Sequence, residues 1–204
     1  MTKILLHTLV TTLYFLALIN PISKVSVLAV LSSAHEHKDF MRVAVKASLV
    51  AGTILLVSML CGSVLLQSVF RVELYSLRLA GGSVLCWVGF NALRKGVFFE
   101  YDTHARFEDV AIVPLACPLI AGPATIAACI SIRTQEGFVV PIIAIVLAVA
   151  LNHIVMMFSR QLSSVLVKFN LLGAIVRLTG LIVMTIGTQM VLDGLSTWYV
   201  QILR

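Results

Sequence analysis

The sequence contains few charged residues and very few acidic ones. Only 12% of its 204 residues are charged, and nine residues are aspartate or glutamate. A soluble domain usually carries about 25% charged residues, and a disordered chain has low hydrophobicity, so both classes are excluded. Apolar residues make up 60% of the chain and fall in long runs, which is typical of an integral membrane protein in a lipid bilayer.

Several chemical motifs are also missing from the sequence. The four cysteines, at positions 61, 86, 117 and 129, form no CxxC pair, which disfavours a disulfide framework or a zinc site. No GxxxxGK[ST] loop, HExxH or Gly-x-Ser-x-Gly motif occurs. We therefore expect no enzyme activity, no cofactor and no metal. Basic residues form no clustered face, so no nucleic-acid partner is expected.

Six charge-poor runs are long enough to cross a bilayer at about 20 residues each. They are Ile4–Ser33, Ala47–Val69, Leu74–Leu93, Val110–Ile132, Gly137–Ser159 and Leu171–Leu192. Each segment that connects two runs carries charge. These runs predict an all-α membrane protein with six transmembrane helices, in which the first run is a retained span and not a cleaved signal peptide.

The distribution of basic residues predicts the orientation of these spans. Nine of the fifteen Lys and Arg residues lie on one side of the expected bilayer. Five lie on the side of both termini, and Lys24 lies within the first span. Because basic loops accumulate on the cytoplasmic side, both termini are expected outside the cytoplasm of a prokaryotic inner membrane.

The two halves of the chain, residues 1–100 and 101–204, resemble each other. A seven-residue glycine spacing in the third span recurs in the sixth at a constant offset of 98, at Gly82, Gly89, Gly96, Gly180, Gly187 and Gly194. Each half holds three spans, an odd number, so the second half enters the membrane from the opposite face. This pattern predicts two inverted three-helix repeats, a plan found in many secondary transporters. The glycines are expected to let helices pack closely.

Proline interrupts the first and fourth spans near their middles, at Asn20-Pro21 and Gly122-Pro123. Proline breaks the helical hydrogen-bond ladder, and freed carbonyls in hydrocarbon must find partners. The N–H groups at a helix restart suit a carboxylate, and unwound carbonyls suit an ammonium or a small cation. We predict a binding site for a small zwitterion formed by Asn20, Pro21, Ile22, Ser23, Lys24, Leu119, Ala121, Gly122, Pro123, Ala124 and Thr125.

Other polar residues within the spans leave two interpretations open. Lys24 either binds an anion at the half-helix start, where the helix dipole disfavours a cation, or snorkels toward the cytoplasmic interface. The side chains of Asn91, Gln189, Asn152 and His153 either line a pathway or bond helices to each other. No acidic residue lies deep in a span, so a coupling ion is expected to be a proton at His153 or sodium on backbone carbonyls.

Three segments resemble those of the MarC/SnatA family. Asn20-Pro21-Ile22 looks like its Asn-Pro motif, Pro118–Pro123 looks like its second broken-helix motif, and Arg78–Gly82 looks like its third-span signature. The resemblance covers essentially the whole chain. It implies an inverted three-plus-three repeat, in a family that includes an archaeal transporter of small neutral amino acids. The chain departs from the family pattern at Ser23 and Ala124, where members usually have glycine, and at Lys24.

These observations favour a secondary transporter or exporter of a small neutral solute that works by alternating access. Small neutral amino acids are the favoured substrates, and a homo-oligomer is compatible with this interpretation. The alternatives are a passive channel and a membrane assembly factor that transports nothing. Two further residues are expected to be structural: Arg78 as an interfacial anchor and Trp87 as a packing residue.

Overall fold

The computed structural model of the chain describes residues 2–25, 37–98, 116–117, 120–168 and 171–203. These residues are mostly helical and include no strand. The helices are α1 (Thr2–Ile19), α2 (His37–Val64), α3 (Leu74–Lys95), α4 (Pro123–Glu136), α5 (Val139–Met157), α6 (Ser159–Lys168) and α7 (Leu172–Ile202). Residues 21–25 form a further helical segment after α1, and a π-helix, Leu65–Val69, continues α2.

Four segments within the described part of the chain are long and apolar enough to cross a membrane. They are Ile4–Val25, Met41–Val69, Val139–Met157 and Leu172–Ile202, and they correspond to the first, second, fifth and sixth predicted spans. Helix α3 matches the third predicted span but contains Arg78 and three glycines, which lower its hydropathy. Helix α4 covers only the second part of the fourth. An all-helical membrane protein is therefore confirmed.

Two helices extend beyond the charge-poor runs that predicted them. Helix α2 begins ten residues before its run, and α7 ends ten residues after its run. The charged segment between the fifth and sixth predicted spans lies mostly in a helix of its own, α6. Hydropathy marks the limits of the hydrocarbon, whereas Lys and Arg are good helix formers, so a charged residue ends a membrane span without ending the helix.

Small residues fill the interior of the bundle, and large apolar side chains cover its outer surface. Fully or almost fully buried alanines occur on α2, α4 and α5 and in the residues just before α4, at positions 44, 47, 51, 116, 121, 124, 127, 128, 144 and 148. Leucines of α1 such as Leu5 and Leu9 are exposed. Lipid tails are as apolar as leucine, so small interfacial residues that allow close packing are favoured inside membrane bundles.

Helices α3 and α7 pack antiparallel with their backbones in contact. A Cβ added at Gly82 would lie 2.6 Å from the carbonyl oxygen of Gly187, and one added at Gly89 would lie 2.6 Å from that of Gly180. The reverse contact is as short, since a Cβ at Gly187 would lie 2.7 Å from the carbonyl oxygen of Gly82. Backbone atoms cannot move aside independently, so the predicted close packing at these glycines is confirmed.

This packing predicts different effects for two glycine substitutions in α7. Gly187→Ala should destabilise the protein by about 1–3 kcal/mol, because the added methyl group forces α3 and α7 apart. Gly173→Ala is the matched control, since a Cβ at Gly173 would meet nothing within 4 Å. It should be neutral or slightly stabilising, because alanine favours helix over glycine by about 1 kcal/mol. Thermal unfolding of both variants in detergent measures this, and equal melting temperatures would contradict it.

Candidate binding site at two helix breaks

The first helix break lies at Asn20, as the sequence predicts. The backbone of Asn20 is left-handed, with φ 51°, and its N–H donates to the carbonyl of Leu16 at 2.9 Å, which ends α1. Asparagine tolerates this conformation better than most residues. Pro21 then begins the next helical segment, where its missing N–H leaves no acceptor unsatisfied.

The carbonyl oxygen of Asn20 is the acceptor that holds the break together. It accepts from the backbone N–H of Ser23 at 3.1 Å and from the Ser23 hydroxyl at 2.7 Å. The Nζ atom of Lys24 also donates to it, at 3.2 Å. In hydrocarbon an unpaired carbonyl costs several kcal/mol. The bonds from Ser23 and Lys24 to the Asn20 carbonyl therefore stabilise the helix break, where Pro21 has no N–H to donate.

The second break lies just before α4, which begins at Pro123. Its N-cap residue Gly122 is extended and supplies no side-chain cap. The first helical N–H bond runs from Ile126 to the carbonyl of Gly122, so the N–H groups of Ala124 and Thr125 have no partner within the helix. Helix α3 holds this start closely, because a Cβ at Gly81 would lie 3.0 Å from the Cα of Ala124.

Both breaks open onto one cavity, which we call the central cavity. Its volume is about 280 Å³, and it is lined at the breaks by Asn20, Ser23, Gly122, Pro123, Ala124 and Thr125. Small-molecule sites usually measure roughly 300–1,000 Å³, so this cavity suits a small solute. The structure thus brings together six of the eleven residues that the sequence assigns to the binding site.

The rest of the cavity wall comes from apolar residues that the sequence does not single out. They are Leu18, Ile19, Val84, Leu85, Trp87, Val88, Phe98 and Val183. Every span contains such residues, so no pattern marks the ones that face the cavity. Trp87, which the sequence predicts to be a packing residue, is instead 66% exposed and lines the central cavity.

One polar atom in the cavity wall has no partner within the described part of the protein. The amide nitrogen of Asn20 is buried and makes no hydrogen bond there. Leaving a buried donor unsatisfied costs about 1–3 kcal/mol, so this atom marks a place where a ligand acceptor would stabilise the site. The N–H groups at the start of α4 offer donors of the same kind to the same cavity.

Four of the remaining predicted site residues lie near the breaks without lining the central cavity. Pro21 and Ile22 are half-buried in the segment after Asn20, and Ala121 is buried behind the second break. Lys24 has 0% exposed surface and donates to the carbonyls of Ile19 and Asn20. It therefore does not snorkel. Leu119 lies outside the described residues.

Four further predicted residues lie apart from the central cavity: Asn91, Asn152, His153 and Gln189. Gln189 donates to the Asp193 carboxylate at 2.8 Å within α7, and the amide nitrogen of the buried Asn152 lies 3.3 Å from the sulfur of Met156. Asn91 is half-buried on α3.

His153 bonds α5 to α2. Its Nδ1 lies 3.0 Å from the Ser48 hydroxyl, at an apolar groove of about 350 Å³ between the two helices. Of the two interpretations drawn from the sequence, this contact matches the bond between helices.

A second, more polar cavity lies farther along α4. It measures about 360 Å³ and is lined by Tyr14, Arg78, Ala128, Ser131, Ile132, Gln135, Met190 and Asp193. Arg78 donates to the Ser131 hydroxyl here, so it faces a polar cavity. Its predicted role as an interfacial anchor stays a prediction. Ala124 lines the central cavity, and Ala128, one helical turn later, lines this one. The two cavities are therefore stacked along α4.

Together the fold and the site define a helical membrane protein whose central cavity lies between two broken helices. The family model for "MarC family integral membrane protein" matches residues 5–199. The chain belongs to the MarC family.

Two relatives illustrate how far the similarity extends. A "UPF0056 membrane protein" of Pyrococcus horikoshii is 33% identical over 184 residues, which cover 90% of this chain and 91% of that protein. The "UPF0056 inner membrane protein MarC" of Escherichia coli is 27% identical over 199 residues, which cover 88% of this chain and 90% of that protein. No solved structure matches the chain significantly.

The left-handed backbone at Asn20 predicts that two substitutions will differ in stability. Asn20→Ala should destabilise the protein by about 1–2 kcal/mol, because a Cβ without a local polar partner is strained there. Asn20→Gly should preserve stability, because glycine adopts this conformation freely. Thermal unfolding compares the two. If both variants lost stability equally, the side-chain amide and not the backbone conformation would hold the break.

Proposed function

We propose that the protein is a secondary transporter or exporter of a small neutral solute, with small neutral amino acids as its substrates. The observation that carries the proposal is the central cavity itself, which is lined both by Asn20 at the first break and by Gly122, Pro123, Ala124 and Thr125 at the start of α4. The proposal includes no covalent chemistry, no cofactor and no metal. The substrate enters and leaves unchanged.

The chemistry of the cavity favours a zwitterion with a small side chain. The N–H groups of Ala124 and Thr125, which have no partner within α4 and lie at the positive end of its dipole, suit a carboxylate, and the Asn20 amide adds a donor. Trp87 also lines the cavity, and the face of a tryptophan ring can bind an ammonium group. The apolar wall and the volume of about 280 Å³ leave room for a small apolar substituent, which suits alanine, serine or glycine.

The packing of the helices supports the predicted inverted repeat. An offset of 98 converts Gly82 into Gly180 and Gly89 into Gly187, so it exchanges the two glycine contacts between α3 and α7. A shift of 98 residues therefore maps the α3–α7 interface onto itself, with the two helices exchanged. Helix α1 packs against α5 and α2 packs against α4, which are also equivalent contacts in the two halves. A two-fold axis in the membrane plane would produce this arrangement.

The stacked cavities support alternating access as the mechanism. Charged groups within a bundle usually face a water-filled space, so the polar cavity with Arg78 and Asp193 suits an aqueous approach from the side where α4 ends. The central cavity lies beyond it along α4. In this scheme the two repeats move against each other, and the central cavity opens alternately to one side and the other.

The positive-inside distribution adds an orientation to the proposal, with both termini outside the cytoplasm. An alkaline phosphatase fused after Arg204 should then be active in a bacterial inner membrane, and a green fluorescent protein at the same position should be dark. The paired reporters control for expression level. The opposite pattern would place the C-terminus in the cytoplasm and reverse the proposed orientation.

A passive channel is the second candidate, because paired broken helices also build pores. Counterflow separates the two. In liposomes loaded with unlabelled alanine, glycine or serine, trace label should accumulate transiently above its equilibrium level. Thr125→Val keeps the backbone N–H but removes the side-chain hydroxyl of a residue that lines the central cavity. We expect this hydroxyl also to donate to the substrate carboxylate, so its loss should lower the initial rate roughly tenfold, since a hydrogen bond to a charged group contributes about 1.5–3 kcal/mol.

The matched control for Thr125→Val is Thr185→Val. Thr185 is exposed on α7, and its hydroxyl donates to the Leu181 carbonyl at 2.9 Å, so this variant should transport normally. Label that equilibrates without overshoot would favour a channel. No entry of any neutral amino acid would overturn the proposed substrate, and would favour a membrane assembly factor if other solutes also failed.

A further inference from the structure

The buried amino group of Lys24 is a polar feature of the first break that the proposed site does not use. The side chain has 0% exposed surface and folds back along the chain. Its Nζ donates to the carbonyl oxygen of Ile19 and, at 3.2 Å, to that of Asn20. Lys24 belongs to the segment after the break, whereas Ile19 is the last residue of α1 and Asn20 lies at the break itself.

The carbonyl of Ile19, at the end of α1, lies where a cation is electrostatically favoured. The last carbonyls of a helix have no intrahelical donor and carry the negative end of the helix dipole. The sequence places Lys24 at the start of a half-helix, where the dipole disfavours a cation, but the side chain reaches past that start to the preceding helix end. The dipole that acts on the ammonium is therefore a favourable one.

In transporters built from broken helices, unwound carbonyls and half-helix C-terminal ends hold the coupling sodium ion or proton. We propose that the first break is a monovalent-cation site and that the Lys24 ammonium is its permanent, tethered occupant. The protein then needs no sodium at this break.

The two breaks differ in this respect. The offset of 102 that aligns Asn20-Pro21 with Gly122-Pro123 places Ile126 at the position equivalent to Lys24. Helix α4 therefore starts without an internal ammonium, although its half of the site has the same broken-helix plan. The tethered cation is a property of the first half alone.

Removal of the Lys24 side chain should leave the cation site at the first break open to a free cation. Lys24→Ala should lower the melting temperature, and methylammonium or sodium chloride should restore it relative to choline chloride, whose cation is too large. A ligand that binds only the folded state raises the melting temperature with each increase in concentration above its Kd, by roughly 3 °C per tenfold increase. The wild type should show no such dependence.

Two further variants make this result specific. Lys24→Met keeps the volume of the side chain without its charge, so it should be destabilised like Lys24→Ala but not restored by any cation. Lys46→Ala removes an exposed lysine of α2 and should respond to none of the salts. Equal melting temperatures for wild type, Lys24→Ala and Lys24→Met, or equal restoration of Lys24→Met, would overturn the proposal.

The statement about coupling rests on the proposed transport function, and the two can fail separately. Melting temperatures need no transport, so cation rescue of Lys24→Ala without any counterflow would keep the tethered cation and remove the transporter. If Lys24→Ala does not fold, counterflow by the wild type with and without sodium decides the question. A rate that changes by less than twofold supports the proposal, and a strict requirement for sodium overturns it.

Discussion

The need to satisfy every backbone polar group without water is the constraint on which this structure depends. A regular helix pairs its own backbone groups. The hydroxyls of Thr8, Thr11 and Thr12 in α1 likewise donate to backbone carbonyls one turn earlier. At a helix break some backbone N–H and carbonyl groups lose their helical partners, so other nearby groups must bond to them. At the first break these partners are Ser23 and Lys24, and the amide nitrogen of Asn20, a residue that lines the central cavity, has no partner among the described residues. The candidate site thus lies where the break has been stabilised by its own neighbours.

A second constraint places that site between the helices. Contacts of 2.6–2.7 Å between an added Cβ and a facing carbonyl mean that α3 and α7 are joined at distances only glycine permits. This pair forms a closely packed wall from which Val84, Leu85, Trp87 and Val183 reach the cavity. Gly81 adds a close approach to the start of α4, so the same small-residue surface also positions the second break. Close packing here serves the geometry of the cavity as well as the stability of the fold.

Much of this arrangement could be predicted from the sequence. Proline and asparagine act on their own backbone, so Asn20-Pro21 and Gly122-Pro123 locate the breaks to the residue. Glycine spacing likewise indicates where two backbones approach. Helix ends were predicted less well at α2 and α7, because charge limits the membrane span and not the helix. The membership of the chain in the MarC family agrees with the motifs at both breaks.

By itself, therefore, the sequence determined the features that arise from local chemistry: the apolar helices, the two breaks and the glycine-mediated contact. Only the tertiary structure decided which way long side chains point. Lys24 turns back to the end of α1, Trp87 stands at the edge of the cavity, Arg78 faces a polar cavity, and His153 bonds α5 to α2. Each direction depends on which neighbouring helix supplies an acceptor or a space. That neighbour is distant in the chain or lies across a break, where no spacing rule applies.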